Sequence, residues 1–245
     1  MRLLAVLVNY GKEQLCYLQH VVKELNSFAG YDVDVIVNTN VPVRLANVKQ
    51  RIIKIKDNQL LPLTCRQTIW DNRNDYDVFY YGENDHLLLE HHVDNHLKYE
   101  ELLPKDRISG LLQYEENDEG MSFPAAHARY DWDFSSTEIH GGLRFAHFTN
   151  LHQACFILSR DQLLRIGELH DFTKFMGQSH YSTKCRVNTD IYQFTGMKKV
   201  ICIDDIAGNM IHHLPNLYIN GDNGRHKFGR DQKWLEESIT KLKNL

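Results

Sequence analysis

The sequence predicts an α/β protein. Three observations carry this: a continuous apolar run at its start, further short apolar runs, and helix-spaced stretches between them. Leu3–Val8 (LLAVLV) is apolar throughout, as a strand buried on both faces requires. Glu13–Phe28 places Leu15, Leu18, Val21, Val22 and Leu25 on one helical face, and Gly30 stops it. Val33–Val37 is a second strand, followed by a turn at Asn38-Thr39-Asn40. Arg51–Lys56 predicts a third strand and Pro62–Asn72 a helix. Asp77–Tyr81 predicts a fourth strand, and His86–Leu103 a long helix closed by Pro104. The order β-α-β-β-α-β-α is that of a doubly wound half, which binds nucleotides at strand C-terminal ends.

The second half is less regular. Arg107–Tyr114 predicts a strand, and the polar stretch Glu115–Ile139, with Pro124, a long loop. Strands follow at Leu143–His147 and Ala154–Leu158, then a helix to Leu169 capped by Ser159. A short helix is expected at Asp190–Phe194 and a strand at Lys199–Ile203. Lys233–Leu245 has helical apolar spacing, suited to packing on its own domain or to lying on a membrane surface. With no repeat and no linker, residues 1–245 read as one domain, divided at 104 and 232.

Composition narrows the function. The 245 residues are one to two domains at about 150 residues each. Basic residues number 28 and acidic ones 32, and a net charge of −4 does not hold nucleic acid by bulk charge. An apolar content of 42% is enough for a core and excludes a disordered chain. Cys16, Cys65, Cys155, Cys185 and Cys202 lie far apart without a C-x-x-C, against a zinc ribbon or disulfide scaffold and for a reducing compartment. Leu3–Val8 is too short for a signal peptide or a membrane span, so a cytoplasmic location is expected.

The chemistry concentrates in Asp77–Asp94 (DVFYYGENDHLLLEHHVD), where an apolar strand runs into Glu83-Asn84-Asp85. Residues two apart on a strand point the same way, so Glu83 and Asp85 are expected to converge at its tip. Two carboxylates there suit a hard cation, Mg²⁺ or Mn²⁺, shared with a diphosphate. A solvated polar turn fits the same residues.

In this segment the chain resembles glycosyltransferases of the GT-A type, which carry an Asp-x-Asp motif after the fourth strand of a β-α-β half. Glu83-Asn84-Asp85 is the counterpart here, with Glu in place of the first Asp and Asn at the centre. Asn150–Arg160 resembles the segment that builds the acceptor side of such enzymes, and Val200–Asn220, with His212-His213-Leu214-Pro215-Asn216, their His-containing C-terminal stretch. The resemblance implies a single-domain GT-A-like fold with a mixed central sheet. Residues 1–104 would be its Rossmann-like, nucleotide-sugar-binding half, 105–232 its acceptor-side half and 233–245 a C-terminal helix. It implies transfer from a nucleotide diphosphate donor, such as a UDP-sugar, to a hydroxyl of a glycan or lipid-linked sugar, as in polysaccharide biosynthesis, assisted by Mn²⁺ or Mg²⁺.

The resemblance also implies roles. Asp85 binds the metal, Glu83 holds ribose or a metal-bound water, and His213 or His212 closes the metal site. Val8, Asn9 and Tyr10 face the base and ribose beside Asn38 and Asn84, with Tyr10 stacking, and Arg66 reaches a phosphate. An inverting transfer needs a base at the acceptor hydroxyl, for which Asp190, opening a short helix, is the first candidate and Glu138 the second. Plainer roles fit too: a strand end for the histidine pair, core for Tyr10, a surface ion pair for Arg66, a helix cap for Asp190.

Two rival functions remain. Fourteen histidines include His86, His91, His92 and His96 in one predicted helix, and Asp85 with His91, His92 and Asp94 suits a metal-dependent phosphohydrolase, with His96 on a half-exposed polar face. A non-catalytic nucleotide-binding module would show nucleotide affinity independent of metal.

Overall fold

The computed structural model describes residues 1–123, 130–221 and 229–245. The first half follows the expected order: β1 (Arg2–Asn9), α1 (Leu15–Leu25), β2 (Asp32–Thr39), β3 (Lys49–Ile52), α2 (Leu63–Asp71) and β4 (Val78–Glu83). β3 is shorter than expected and starts earlier. Its pairing ends where Thr39, the last residue of β2, meets Ile52. β4 reaches Glu83, and His86–Leu87 form a short strand, β5, before α3 (Glu90–Leu102). The expected helix at His86 therefore begins four residues later.

The next strand is split into β6 (Arg107–Ser109) and β7 (Leu112–Asn117). The break falls at Gly110, whose N–H donates to Val200 O at 2.9 Å. A Cβ there would lie 2.5 Å from the Lys199 side chain, so only glycine fits without a shift. The expected loop Glu115–Ile139 is partly sheet. β7 turns through Asn117–Gly120 into β8 (Gly120–Phe123), and β9 covers Glu138–His140. Asn117 Oδ1 accepts from Glu119 N at 2.9 Å, and Gly120 takes a φ of +125°. Positions 124–129 of that stretch, Pro124 included, lie outside the described residues.

β10 (Leu143–Ala146), β11 (Cys155–Ser159) and α4 (Arg160–Leu169) match expectation. α5 (Thr183–Phe194) begins seven residues before the expected start, which moves Asp190 from a helix opening to a helix interior. β12 (Lys198–Cys202), β13 (Met210–His213), β14 (Arg230–Asp231) and α6 (Gln232–Lys243) complete the chain.

Contacts divide the chain into two units: residues 1–93 with 154–196, and 94–153 with 197–245. Each is assembled from two separated stretches, a pattern that the sequence order does not display. The first unit holds one five-stranded sheet in the order β11-β4-β1-β2-β3. β1 to β4 run parallel, and β11 is antiparallel to β4. Leu3 to Leu7 of β1 have no exposed surface, as their unbroken apolarity requires.

The second unit holds a sheet in the order β6-β12-β10-β9 and strands in the order β14-β8-β7-β13. Its core includes Trp132, Phe148, Ile201, Leu235, Ile239 and Leu242. The apolar stripe of α6 is thus used inside its own unit, as the first of its two expected roles has it. The protein is α/β with mixed sheets, and among the described residues no helix is long and apolar enough to cross a membrane.

α4 opens on a reciprocal cap. Ser159 Oγ accepts from Gln162 N, and Gln162 Oε1 accepts from Ser159 N, both at 3.1 Å. Ser159→Ala is expected to cost about 1 kcal/mol, lowering Tm by about 2–4 °C in a chain of this size. Thermal denaturation followed by circular dichroism checks this.

Candidate functional site

The topology of the first unit opens a crevice. β1 has β2 on one side and β4 on the other, so the chain leaves β1 in one direction and returns on the opposite flank. Ligands bind at such switch points, outside the carboxyl ends of the strands. β1 and β4 end together, with Val8 paired to Glu83. Beyond these ends lies a cavity of about 530 Å³. Val8, Tyr10, Gln14, Glu83 and Asn84 line one side; Lys56–Gln59, Leu61 and Pro62 line another, and Lys184 from the first turn of α5 completes it.

Of the residues expected to face a nucleotide, Val8, Tyr10, Glu83 and Asn84 line the cavity, whereas Asn9, Asn38, Arg66 and Asp85 do not. Tyr10 is 58% exposed, so it is not a core residue and its ring is available for stacking. Asn9 is buried. Its Nδ2 donates to Gly11 O and Thr39 Oγ1, and its Oδ1 accepts from Asn84 Nδ2 at 2.7 Å. The two amides tie the tips of β1 and β4 together.

Two assignments are corrected. Asn38 lies in the interior under α2, donating to Thr64 Oγ1 and Thr68 Oγ1, each at 3.0 Å. Arg66 has no exposed surface and reaches no cavity phosphate. It packs on the Phe172 ring, donates from Nε to Phe172 O and lies 3.6 Å from Asp190 Oδ2. Burial pulls its guanidinium down to about 10, against the pull of Asp190, so it remains a cation at neutral pH. Both side chains turn inward because α2 packs on the sheet, and each has polar partners there.

The acids at the β4 tip separate. Glu83 lines the cavity, whereas Asp85 is 5% exposed and is not among the lining residues. Strand alternation ends at Glu83, and the turn through Asn84 sends Asp85 elsewhere. Asp85 Oδ2 accepts from Gln14 Nε2 at 3.0 Å, and Oδ1 lies 2.7 Å from His86 Nδ1. A buried carboxylate beside an imidazole offers oxygen and nitrogen donors together, a set that fits Mn²⁺ better than Mg²⁺. His86 was expected on a helix and without this role; its signal in the sequence is its adjacency to Asp85.

The two C-terminal histidines differ. Adjacent strand residues face opposite ways. His212 stacks on Tyr114 with centroids 4.9 Å apart, and its Nε2 lies 3.1 Å from Asn216 Oδ1. His213 is buried and bonds Glu115 through Nδ1. Its ring, unlike that of His212, is held by a carboxylate.

The candidate bases are already engaged. Asp190 has no exposed side-chain surface. It accepts from Met176 N at 3.0 Å and faces Arg186 Nε at 3.3 Å as well as Arg66. Glu138 accepts from Arg107 Nε at 2.8 and 3.1 Å and lies 3.4 Å from His140 Nε2. Both carboxylates are thus already paired with guanidinium groups. Cys185 stands beside Lys184. Burial pushes its thiol up, Ser182 opposes by donating to Sγ, and the charge of Glu83 adds to the rise.

Compared with models of known protein families and with curated proteins, the chain matches none.

Asp190→Ala would leave two guanidinium groups around an empty acceptor. The expected loss is about 3–5 kcal/mol of unfolding free energy, read by urea denaturation. An unchanged unfolding free energy, with any activity lost, would return Asp190 to the candidate bases.

Proposed function

We propose that this protein is a nucleotide-sugar-dependent glycosyltransferase of GT-A type, acting on a hydroxyl of a glycan or lipid-linked sugar. The observation that carries the reading is the cavity at the β1–β4 switch point, bordered by the Glu83-Asn84 part of the acidic triplet. Its volume of about 530 Å³ suits a nucleotide-sized ligand.

The lining supplies what such a donor needs. The exposed Tyr10 ring offers a stacking face for a base. The Glu83 carboxylate accepts from ribose hydroxyls. Lys56 and Lys184 bring two ammonium groups to the diphosphate from separate walls. The carboxylates of Asp57 and Glu83 offset those two charges, so the lining leaves a diphosphate under-neutralised and favours a cation beside it. Asp85, two residues beyond Glu83 and outside the cavity lining, would with His86 be the group to hold that cation, which when bound would stabilise the departing diphosphate. In the transfer, the bond from the sugar C1 to the diphosphate oxygen breaks and one to the acceptor oxygen forms. The acceptor proton passes to a base. Asp190 and Glu138, both held in ion pairs, are not proposed as that base, and no inverting course is proposed with them.

The phosphohydrolase reading is weaker. In the helix that motivated it, His92 Nδ1 accepts from Leu89 N at 3.1 Å and His96 Nδ1 bonds Ser109 Oγ at 2.9 Å. These rings serve structural bonds.

A thermal-shift series with UDP, GDP, ADP and CMP, with Mn²⁺ or with EDTA, tests the proposal. A ligand at a hundredfold excess over its Kd adds about 2.7 kcal/mol, a rise of several degrees. Asp85→Ala is expected to remove the Mn²⁺-dependent part of the shift and donor turnover. No shift with any nucleotide would overturn the proposal, and full turnover by Asp85→Ala would overturn the cation's role. A shift indifferent to Mn²⁺ and without turnover would favour the binding module.

A further inference from the structure

Cations gather without acids along the outer edge of the first unit's sheet. β3 closes the order β11-β4-β1-β2-β3, and among the described residues its one strand partner is β2. Between Val41 and Lys56 the sequence carries Arg44, Lys49, Arg51, Lys54 and Lys56 and no acidic residue. All five are exposed. Among the described residues none of the five forms an ion pair. Arg51 donates from Nη1 to Thr68 Oγ1 at 2.6 Å, a neutral partner. Elsewhere Arg2, Arg107, Arg144, Arg160, Arg186 and Arg230 each face a carboxylate.

Edge strands commonly carry lysine, which discourages another chain from pairing there. That accounts for Lys49 and Arg51, within the four residues of β3. It does not account for Arg44, Lys54 and Lys56, which lie outside the strand. Nor does it account for the apolar residues among them. Ile52 is 48% exposed, and Leu60, in the turn Asn58–Leu60, is 38% exposed. A second copy of this chain would set like charges edge against edge. An anionic bilayer surface suits the whole set, because its headgroups take the cations and its interface takes the aliphatic groups.

We propose that the β3 edge docks on an anionic lipid surface, with Arg44, Lys49 and Lys54 at the headgroups and Ile52 entering the interface. Each cation at such a surface strengthens binding about fivefold. Lys56 carries the run on to the wall of the donor cavity, so the same docking brings that wall toward the bilayer. This consequence rests on the donor reading above and narrows its acceptor to the lipid-linked kind. The docking surface itself stands without that reading.

Co-sedimentation of the full chain with vesicles tests this, using phosphatidylcholine alone or mixed with phosphatidylserine. Binding is expected to the mixed vesicles only, and to be lost at about 1 M salt, where charges are screened beyond about 3 Å. Lys49→Ala combined with Lys54→Ala should weaken it about 25-fold. Ile52→Ala should weaken it about fourfold for each CH₂-sized group that enters the interface. Nucleotide thermal shifts of the double variant should match those of wild type. No binding to mixed vesicles, equal binding to both kinds, or binding untouched by the double substitution overturns the inference and leaves the donor cavity standing. Soluble polyglutamate bound as tightly as the mixed vesicles, with Ile52→Ala without effect, overturns it in favour of an acidic protein partner. Vesicle binding without any nucleotide shift upholds the surface and fails the donor reading alone. The lipid and salt dependence of wild type needs no substitution, so a variant that fails to fold leaves the test intact.

Discussion

Val8 and Glu83 sit side by side at the ends of two parallel strands, and the first unit is arranged around that register. The pairing runs in step from Leu3 with Val78 to Val8 with Glu83. A slip of one residue would turn every side chain of β4 to the other face of the sheet. Glu83 would leave the cavity and Tyr80 and Tyr81, both wholly buried, would exchange environments. The Asn9–Asn84 bond sits just past the paired segment and locks the register where the chain would otherwise fray. On the far side of β1, Asn38 of β2 is pinned to α2 through Thr64 and Thr68. Polar residues at strand tips therefore hold the crevice in shape, and only some are left to meet a ligand.

The buried acids fall into two chemical kinds. Asp190 is matched with Arg66 and Arg186, whose charges are permanent and whose guanidinium groups offer no lone pair. Such a cluster fixes the α5 helix against α2. Asp85 and Glu115 are matched with imidazoles. An imidazole passes the effect on, because fixing one ring nitrogen as a donor defines the other as an acceptor. The same burial of a carboxylate thus meets permanent cations in one place and an imidazole in another. The partner residue, not the acid, makes the difference.

The doubly wound half was legible because its signals are local and dense. An unbroken apolar run at Leu3–Val8, a one-faced stripe from Leu15 to Leu25 and the Ser159 cap each correspond to an observed element. The split at Gly110 was not legible, since it depends on Lys199, about ninety positions away, closing over the backbone. The β7–β8 hairpin was hidden by its polarity. Glu115 reads as loop in a sequence and is buried because His213 and two backbone N–H groups meet it. Arg66 was misread for the same reason: its partners, Phe172 and Asp190, lie more than a hundred positions downstream.

The acidic triplet shows where a spacing rule stops. Alternation places two acids on one side only while the backbone stays extended, and β4 ends on the first of them. The pairing of Glu83 with Asp85 as a two-carboxylate, all-oxygen cation site therefore loses its geometric basis. What replaces it is chemical. Glu83 faces a cavity whose ammonium groups suit phosphate, while Asp85 is buried against an imidazole. Mg²⁺ favours oxygen ligands and retains water, whereas Mn²⁺ accepts nitrogen readily. On the proposed reading, a cation at Asp85 with imidazole in reach would be selected by ligand type, and the triplet would divide its work between the donor and the metal instead of giving both acids to one ion.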